Sequence, residues 1–189
     1  MSSAGKRMKH TLLLLVSVAT AILPSCAADT PSSPGTPRSV PEIEIAVYQG
    51  ADTLGADQVR FTEVLGQGRP VVLVMYARLC PVCRRELADL QEMHLEHGDR
   101  VAFVGLDVGP FVGLGSEEDG QALLQDLGIT FAAGTTRDPE VMRFYGVIGV
   151  PYVFFITPNE RIVQTAIGYT AKDRMTQNSE ELLRASSGS

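Results

Sequence analysis

The chain has 189 residues, three cysteines, no tryptophan and a formal net charge of −6. That length suits one domain with attachments, and 44% hydrophobic with 20% charged residues excludes a disordered or collagen-like chain. The acidity argues against nucleic acid as a partner, because such binding begins by neutralising phosphates, and three cysteines are too few for a disulfide-stapled miniprotein or a four-cysteine zinc site.

Lys6, Arg7 and Lys9 precede an apolar run over residues 12–23. At about 1.5 Å per residue the run reaches roughly 18 Å, short of a hydrocarbon core of about 30 Å. A basic start and a short apolar run predict a secretory signal over residues 1–25 rather than a spanning helix. Leu23-Pro24-Ser25-Cys26 resembles a bacterial lipobox, in which the cysteine is lipidated and becomes the new N-terminus. Cys26 is therefore the expected lipid anchor. The alternative is ordinary cleavage, which leaves a free thiol on a soluble exported protein. Removing residues 1–25 takes away three basic residues and no acidic ones, leaving a net charge of −9. Such a surface has no electrostatic hold on anionic headgroups, so attachment would fall to acyl chains. Residues 26–41 carry four prolines and three serines and read as a tether. The folded unit is expected over 42–185, with 186–189 a fraying tail.

Val71-Val72-Leu73-Val74-Met75-Tyr76 is a continuous apolar run, as expected of a strand covered on both faces. Over residues 81–97, Leu87, Leu90 and Leu95 recur at helical spacing until Gly98 stops the pattern. Residues 101–106 form the next buried strand. Ser116-Glu117-Glu118-Asp119 resembles a capping box with Asp in place of Glu or Gln, opening a helix to about Leu127. Asp138-Pro139 starts a short helix through Tyr145. Residues 152–156 form a strand, 157–160 a turn, and 161–167 the returning arm of a hairpin. Leu182 and Leu183 sit in a last helix. Residues 43–48 and 58–61 suit an N-terminal hairpin. This alternation predicts an α/β fold with helices flanking a mixed central sheet.

The chemistry centres on Cys80-Pro81-Val82-Cys83, at the end of a buried strand and the start of a helix. Zinc would need two more nitrogen or sulfur ligands. His94 and His97 lie roughly 17–21 Å down the same helix at 1.5 Å per residue, so no metal site is expected. Unpaired N–H groups and the positive end of the helix dipole favour a thiolate at such a position. This suits thiol–disulfide exchange, with Cys80 attacking and Cys83 resolving; the plainer alternative is a structural disulfide. Arg78, Arg84 and Arg85 form a positive collar on an acidic protein, with Arg78 and Arg84 candidates for redox tuning; otherwise they are three solvated charges. Val150-Pro151 precedes the second apolar strand, where a proline suits a cis bond and the residue before it could offer its backbone to an extended substrate. Glu86, three residues after Cys83, could relay a proton to the resolving thiol. Spacing alone favours a helix-stabilising acid there. The glycine-rich stretch 108–115 lacks the Lys-Ser/Thr ending of a phosphate loop. It reads as a tight connection with Phe111 or Leu114 tucked inward, or else as a partner-binding edge near the dithiol.

On these residues the domain resembles the membrane-tethered thioredoxin-like reductases of the TlpA/ResA type, within the redoxin (AhpC/TSA) superfamily. The resemblance rests on Tyr76-Ala77-Arg78-Leu79-Cys80-Pro81-Val82-Cys83-Arg84-Arg85-Glu86, on Gly146-Val147-Ile148-Gly149-Val150-Pro151, and on Gly168. It implies the thioredoxin fold with an N-terminal β extension and, over 107–120, a central helical insertion. It implies an extracytoplasmic thiol–disulfide oxidoreductase whose redox-active disulfide serves in place of a bound cofactor, and it raises Glu86, because a glutamate at that place tunes the cysteines in the family. Val150 and Pro151, with Tyr76 and Leu79, become the expected substrate-facing residues. Leu79 and Tyr76 stand where the family usually has aromatic residues, mostly tryptophan, which puts the substrate in doubt. Thioredoxin's buried aspartate falls at Val74, leaving Glu86 for proton handling.

The leading reading is a monomeric reductase of disulfides in exported proteins, apocytochrome c among them, supplied by a membrane thiol–disulfide electron donor. Three others compete. A peroxiredoxin-like peroxidase needs Thr or Ser where Ala77 stands. A copper-site assembly factor needs a histidine after the dithiol, and none follows His97. A non-catalytic tethered interaction module would not need both cysteines.

Overall fold

The computed structural model describes residues 40–187. The expected signal, Cys26 and most of the expected tether lie outside them, as do residues 188 and 189. The elements run β1 (Glu44–Gln49), α1 (Ala51–Leu54), β2 (Gln58–Arg60), α2 (Phe61–Leu65), β3 (Val71–Tyr76), α3 (Pro81–His97) and β4 (Ala102–Asp107). They continue through α4 (Gly109–Val112), α5 (Glu117–Leu127), β5 (Ala132–Thr135), α6 (Val141–Tyr145), β6 (Tyr152–Ile156), β7 (Ile162–Ile167) and α7 (Lys172–Ser186).

Seven strands form one mixed sheet in the order β2-β1-β5-β4-β3-β6-β7. Its centre is parallel, with β4 between β3 and β5. The flanking strands are antiparallel: β1 on β5, and β6 on β3 followed by β7. This is the thioredoxin fold carrying the predicted N-terminal β extension, and α4 and α5 fill the predicted insertion between β4 and β5.

Alternation along β3 builds two cores. Val71, Leu73 and Met75 face one layer with Leu106, Phe154 and Tyr145. Val72, Val74 and Tyr76 face the other with Leu87, Leu90, Leu123, Leu124 and Met175. Both faces are covered, which is why β3 reads as an unbroken apolar run. The second layer matters for function, since it holds α3 with both cysteines of the dithiol.

The sequence reading lacks the short helices α1 and α2, and it differs from the fold again further along the chain. β5 was not expected: Ala132-Ala133-Gly134-Thr135 lacks the bulky residues that mark strands. Those small residues are demanded by close packing, since a side chain at Gly134 would run into the Ala46 carbonyl of β1. Within 108–115 lies the short helix α4, and both expected inward residues are partly buried, Phe111 against one core layer and Leu114 against the other. α7 runs through Ser186, one residue into the expected tail, where Ser186 Oγ donates to the Leu182 carbonyl (2.8 Å).

Candidate active site

β3 ends at Tyr76, and Ala77-Arg78-Leu79 carries the chain to α3. Cys80 is the N-cap of α3 and Pro81 occupies its first turn, where the missing N–H is not needed. Cys80 and Cys83 are joined in a disulfide. The Cys83 N–H donates to Cys80 Sγ at 3.1 Å, so the dithiol sits on the donor-rich end of a 17-residue helix. Cys80 retains 6% exposure and Cys83 none. Any exchange with an outside disulfide must therefore begin at Cys80.

The Val150–Pro151 peptide is cis, and the Val150 carbonyl oxygen lies 3.6 Å from Cys80 Sγ. Val150 is half-buried and Pro151 buried, so Val150 is the member of the pair that reaches the surface beside the sulfur. Leu79 is 62% exposed and Ile148 93% exposed, which leaves apolar side chains on the segments flanking the dithiol. Tyr76 requires a correction. It was expected on the substrate-facing rim, but it is wholly buried because its side chain points into the α3 layer of the sheet.

Glu86 is buried on α3, one turn beyond Cys83. Its Oε2 accepts the Thr170 N–H at 3.0 Å, while its Oε1 is buried with no hydrogen-bond partner among the described residues. Burial pushes its carboxyl up to about 7; the Thr170 N–H works against this, and the Asp89 charge adds to it. The Gly168 N–H, donated to the Pro151 carbonyl at 2.9 Å, fixes the connection that carries Thr170. The cis-proline segment and the buried carboxyl are thus braced by one stretch of chain.

The arginine collar is looser than the sequence suggests. Arg78 reaches Asp126 on α5 at 2.6 Å, so its charge is matched by a carboxylate. Arg85 lies over the Tyr169 ring, 4.1 Å from its centroid. Arg84 is exposed on the first turn of α3. His94, further down α3, is half-buried and packs edge-on against Phe103 and Phe131, and its ring is pushed below the ordinary histidine value by burial and by Arg69.

Sequence reasoning missed Asp107. It is a second wholly buried carboxyl, at the end of β4 and on the same layer as the dithiol. Burial raises it to about 6; the Gly109 N–H and Tyr48 hydroxyl lower it, and Glu117 and Asp119 raise it further. A signal did exist. Gly120 sits inside α5, where glycine is unfavourable, and a side chain there would collide with the Asp107 carboxyl.

Residues 38–165 match the AhpC/TSA family. The thiol-disulfide oxidoreductase ResA of Oceanobacillus iheyensis is 24% identical over 135 residues, covering 70% of this chain and 66% of that relative, so the chain spans just under two thirds of its length. A thiol:disulfide interchange protein of the thioredoxin family from Chlorobium tepidum superposes with a TM-score of 0.63 at 18% identity, covering 80% of this chain and 99% of the other. The exposed lipoprotein thioredoxin of Streptococcus pneumoniae gives a TM-score of 0.61 at 24% identity, covering 75% and 99%.

Proposed function

The chain belongs to the AhpC/TSA family and groups there with thiol–disulfide oxidoreductases; we propose that it reduces disulfides in exported proteins through the Cys80/Cys83 dithiol. The observation that carries this reading is the disulfide across the first turn of α3, in which Cys80 keeps a sliver of exposure (6%) and Cys83 has none.

In the reduced protein, the Cys83 N–H and the helix end favour a Cys80 thiolate. That thiolate attacks one sulfur of a substrate disulfide. The substrate S–S bond breaks, its other sulfur leaves as a thiolate, and a mixed disulfide to Cys80 forms. Cys83 passes its proton to the Glu86 carboxylate, and its thiolate attacks Cys80 Sγ. The Cys80–Cys83 bond closes and the second substrate sulfur leaves as a thiolate. Two electrons have moved to the substrate, and a membrane thiol–disulfide carrier returns two to the dithiol. The disulfide is the redox group, and no step calls for a bound cofactor. Val150 offers its backbone beside Cys80, and Leu79 lies on the rim where an extended substrate passes. Apocytochrome c is a fitting substrate.

Lipidation at Cys26, with residues 26–41 as tether, would hold the domain at an extracytoplasmic membrane face. The lipobox-like Leu23-Pro24-Ser25-Cys26 and the likeness to a lipoprotein thioredoxin support this. Among the described residues no helix is long and apolar enough to cross a membrane.

The test is reduction of insulin by the pre-reduced protein. Cys80→Ser should abolish it, and activity that survives overturns the mechanism. Cys83→Ser should accumulate mixed disulfides through Cys80, and their absence reverses the assigned roles. Palmitate incorporation should disappear in Cys26→Ala; labelling that persists rejects the anchor.

A further inference from the structure

Asp107 is a charge-bearing group placed where a charge is hard to keep. It is wholly buried, and no ion pair reaches it among the described residues. Burying a carboxylate without full pairing is unfavourable, because the charge loses its water and gains no counter-charge. Among the described residues its one close donor is the Gly109 N–H, at 2.9 Å to Oδ1; the Tyr48 hydroxyl stands 3.5 Å from Oδ2. Among the described residues, four other elements face it. β1 contributes Tyr48 and β3 contributes Tyr76, whose hydroxyl is buried without a partner. Its β5 neighbour in the ladder is Thr135. α5 contributes Gly120 against Oδ2, with Glu117 and Asp119 as the nearby charges.

What the carboxyl holds leads to the dithiol. The Gly109 carbonyl accepts the Leu114 N–H at 3.0 Å, and the Leu114 carbonyl accepts the Leu79 N–H at 2.9 Å. Leu79 immediately precedes Cys80. The same loop packs closely on this segment: a Cβ built at Gly115 would lie 3.0 Å from Arg78 Cβ, and one at Gly109 would lie 3.4 Å from Ala77 Cβ. Three consecutive hydrogen bonds therefore connect the Asp107 carboxyl to the backbone on which Cys80 is mounted.

We propose that Asp107 is a positioning residue for the dithiol: it pins the 108–115 loop, and the loop holds Leu79 and the rim beside Cys80 in place for docking of a protein disulfide. This rests on the reductase reading above. The ionised carboxylate holds the Gly109 N–H more strongly than the neutral acid does, so the rim is firmest when Asp107 is charged. Because its folded value is raised to about 6, that charge is present above pH 6 and lost below it.

The experiment compares wild type with Asp107→Asn, which keeps the shape and removes the charge. It uses the pre-reduced protein with two substrates, insulin and the small disulfide 5,5′-dithiobis(2-nitrobenzoate), over pH 5 to 8. The wild-type to variant ratio of kcat/KM on insulin should be near one at pH 5 and rise about three- to tenfold by pH 7.5, the worth of one charge-assisted hydrogen bond. The change should lie in KM, with the small disulfide unaffected. Tyr48→Phe, at a half-exposed position, removes a bond that lowers the Asp107 value and should move the rise to higher pH. It also serves as the test if Asp107→Asn does not fold. A ratio constant across pH, or an equal loss on both substrates, overturns the proposal and leaves Asp107 a structural residue. An inactive wild type would instead overturn the reductase reading.

Discussion

Two wholly buried carboxyls stand on the same face of the sheet, and they relate to the dithiol in different ways. Glu86 projects from α3 itself, one turn past Cys83, with Oε1 unpartnered. Asp107 ends a neighbouring strand and is linked to the segment before Cys80 through the backbone of a loop. Each is held by a single close backbone N–H, and burial raises both. The difference teaches that a buried charge can serve a redox site in two ways. One, kept half-satisfied one turn after Cys83, is suited to take the proton that the proposed exchange removes from that thiol. The other, clamped to a loop, is suited to fix where a sulfur is presented.

The largest effect should come from breaking the comparison at the sulfurs. In Cys83→Ser the resolving step is gone, and mixed disulfides should accumulate. In that background Glu86→Gln should add nothing to the rate of adduct formation on insulin, because the thiol it serves is absent. Asp107→Asn should still slow adduct formation above pH 6. This is a double-mutant comparison. Equal effects of the two carboxyl variants in Cys83→Ser would show that both act on Cys80.

Next in size is Glu86→Gln in the otherwise intact protein. A positioned proton acceptor contributes about a hundredfold or more, so release of the mixed disulfide should slow by about that factor at pH 7 while its formation stays within about twofold. Rapid-mixing with a chromogenic disulfide separates the two steps. Unchanged release would remove Glu86 from the mechanism.

The same variant has an opposite effect on stability, and the sign follows from the raised carboxyl. The folded state holds the Glu86 proton more tightly than the unfolded chain does. Its contribution is fully present below the ordinary carboxylate value of 4.5 and is lost as pH rises through about 7. Glu86→Gln should therefore match wild type in denaturant stability near pH 4 and exceed it near pH 8, by up to about 3 kcal/mol. A protein that is more stable and slower is what a functional buried acid predicts. If stability falls instead, the Thr170 contact is worth more than the burial of the charge.

How much of this was legible varies with where the information sits. β3 could be read because both its faces are buried, and Cys80 and Cys83 because a dithiol between a strand and a helix carries its chemistry in local order. Glu86 was visible as spacing, but its burial was not, since Thr170 closes over it from 84 residues away. Tyr76 was placed on the rim because it stands where the resembling family carries an aromatic residue, whereas strand alternation turns it inward. β5 was hidden because its residues are small for the sake of β1, and Asp107 because an acid ending an apolar run looks like the start of a loop. For Asp107 and β5 the deciding partners lie on other elements: Gly120 and Tyr48 for Asp107, Ala46 for Gly134.

The smallest predicted effect tests whether the segment before Cys80 is held by backbone or by charge. Arg78 lies on that segment, and its ion pair with Asp126 offers a rival way of fixing it to α5. The two side chains are 26% and 49% exposed, and exposed pairs are worth about 0–1 kcal/mol and weaken with salt. The Leu79 N–H to Leu114 carbonyl bond is made by the backbone and does not depend on Arg78. Arg78→Ala should therefore change kcat/KM on insulin by less than about threefold, and the change should shrink further at high salt. It should also leave the pH-dependent contribution of Asp107 intact. If Arg78→Ala erases that contribution, the ion pair is what holds the rim, and the Asp107 carboxyl acts on Cys80 by some route other than the loop.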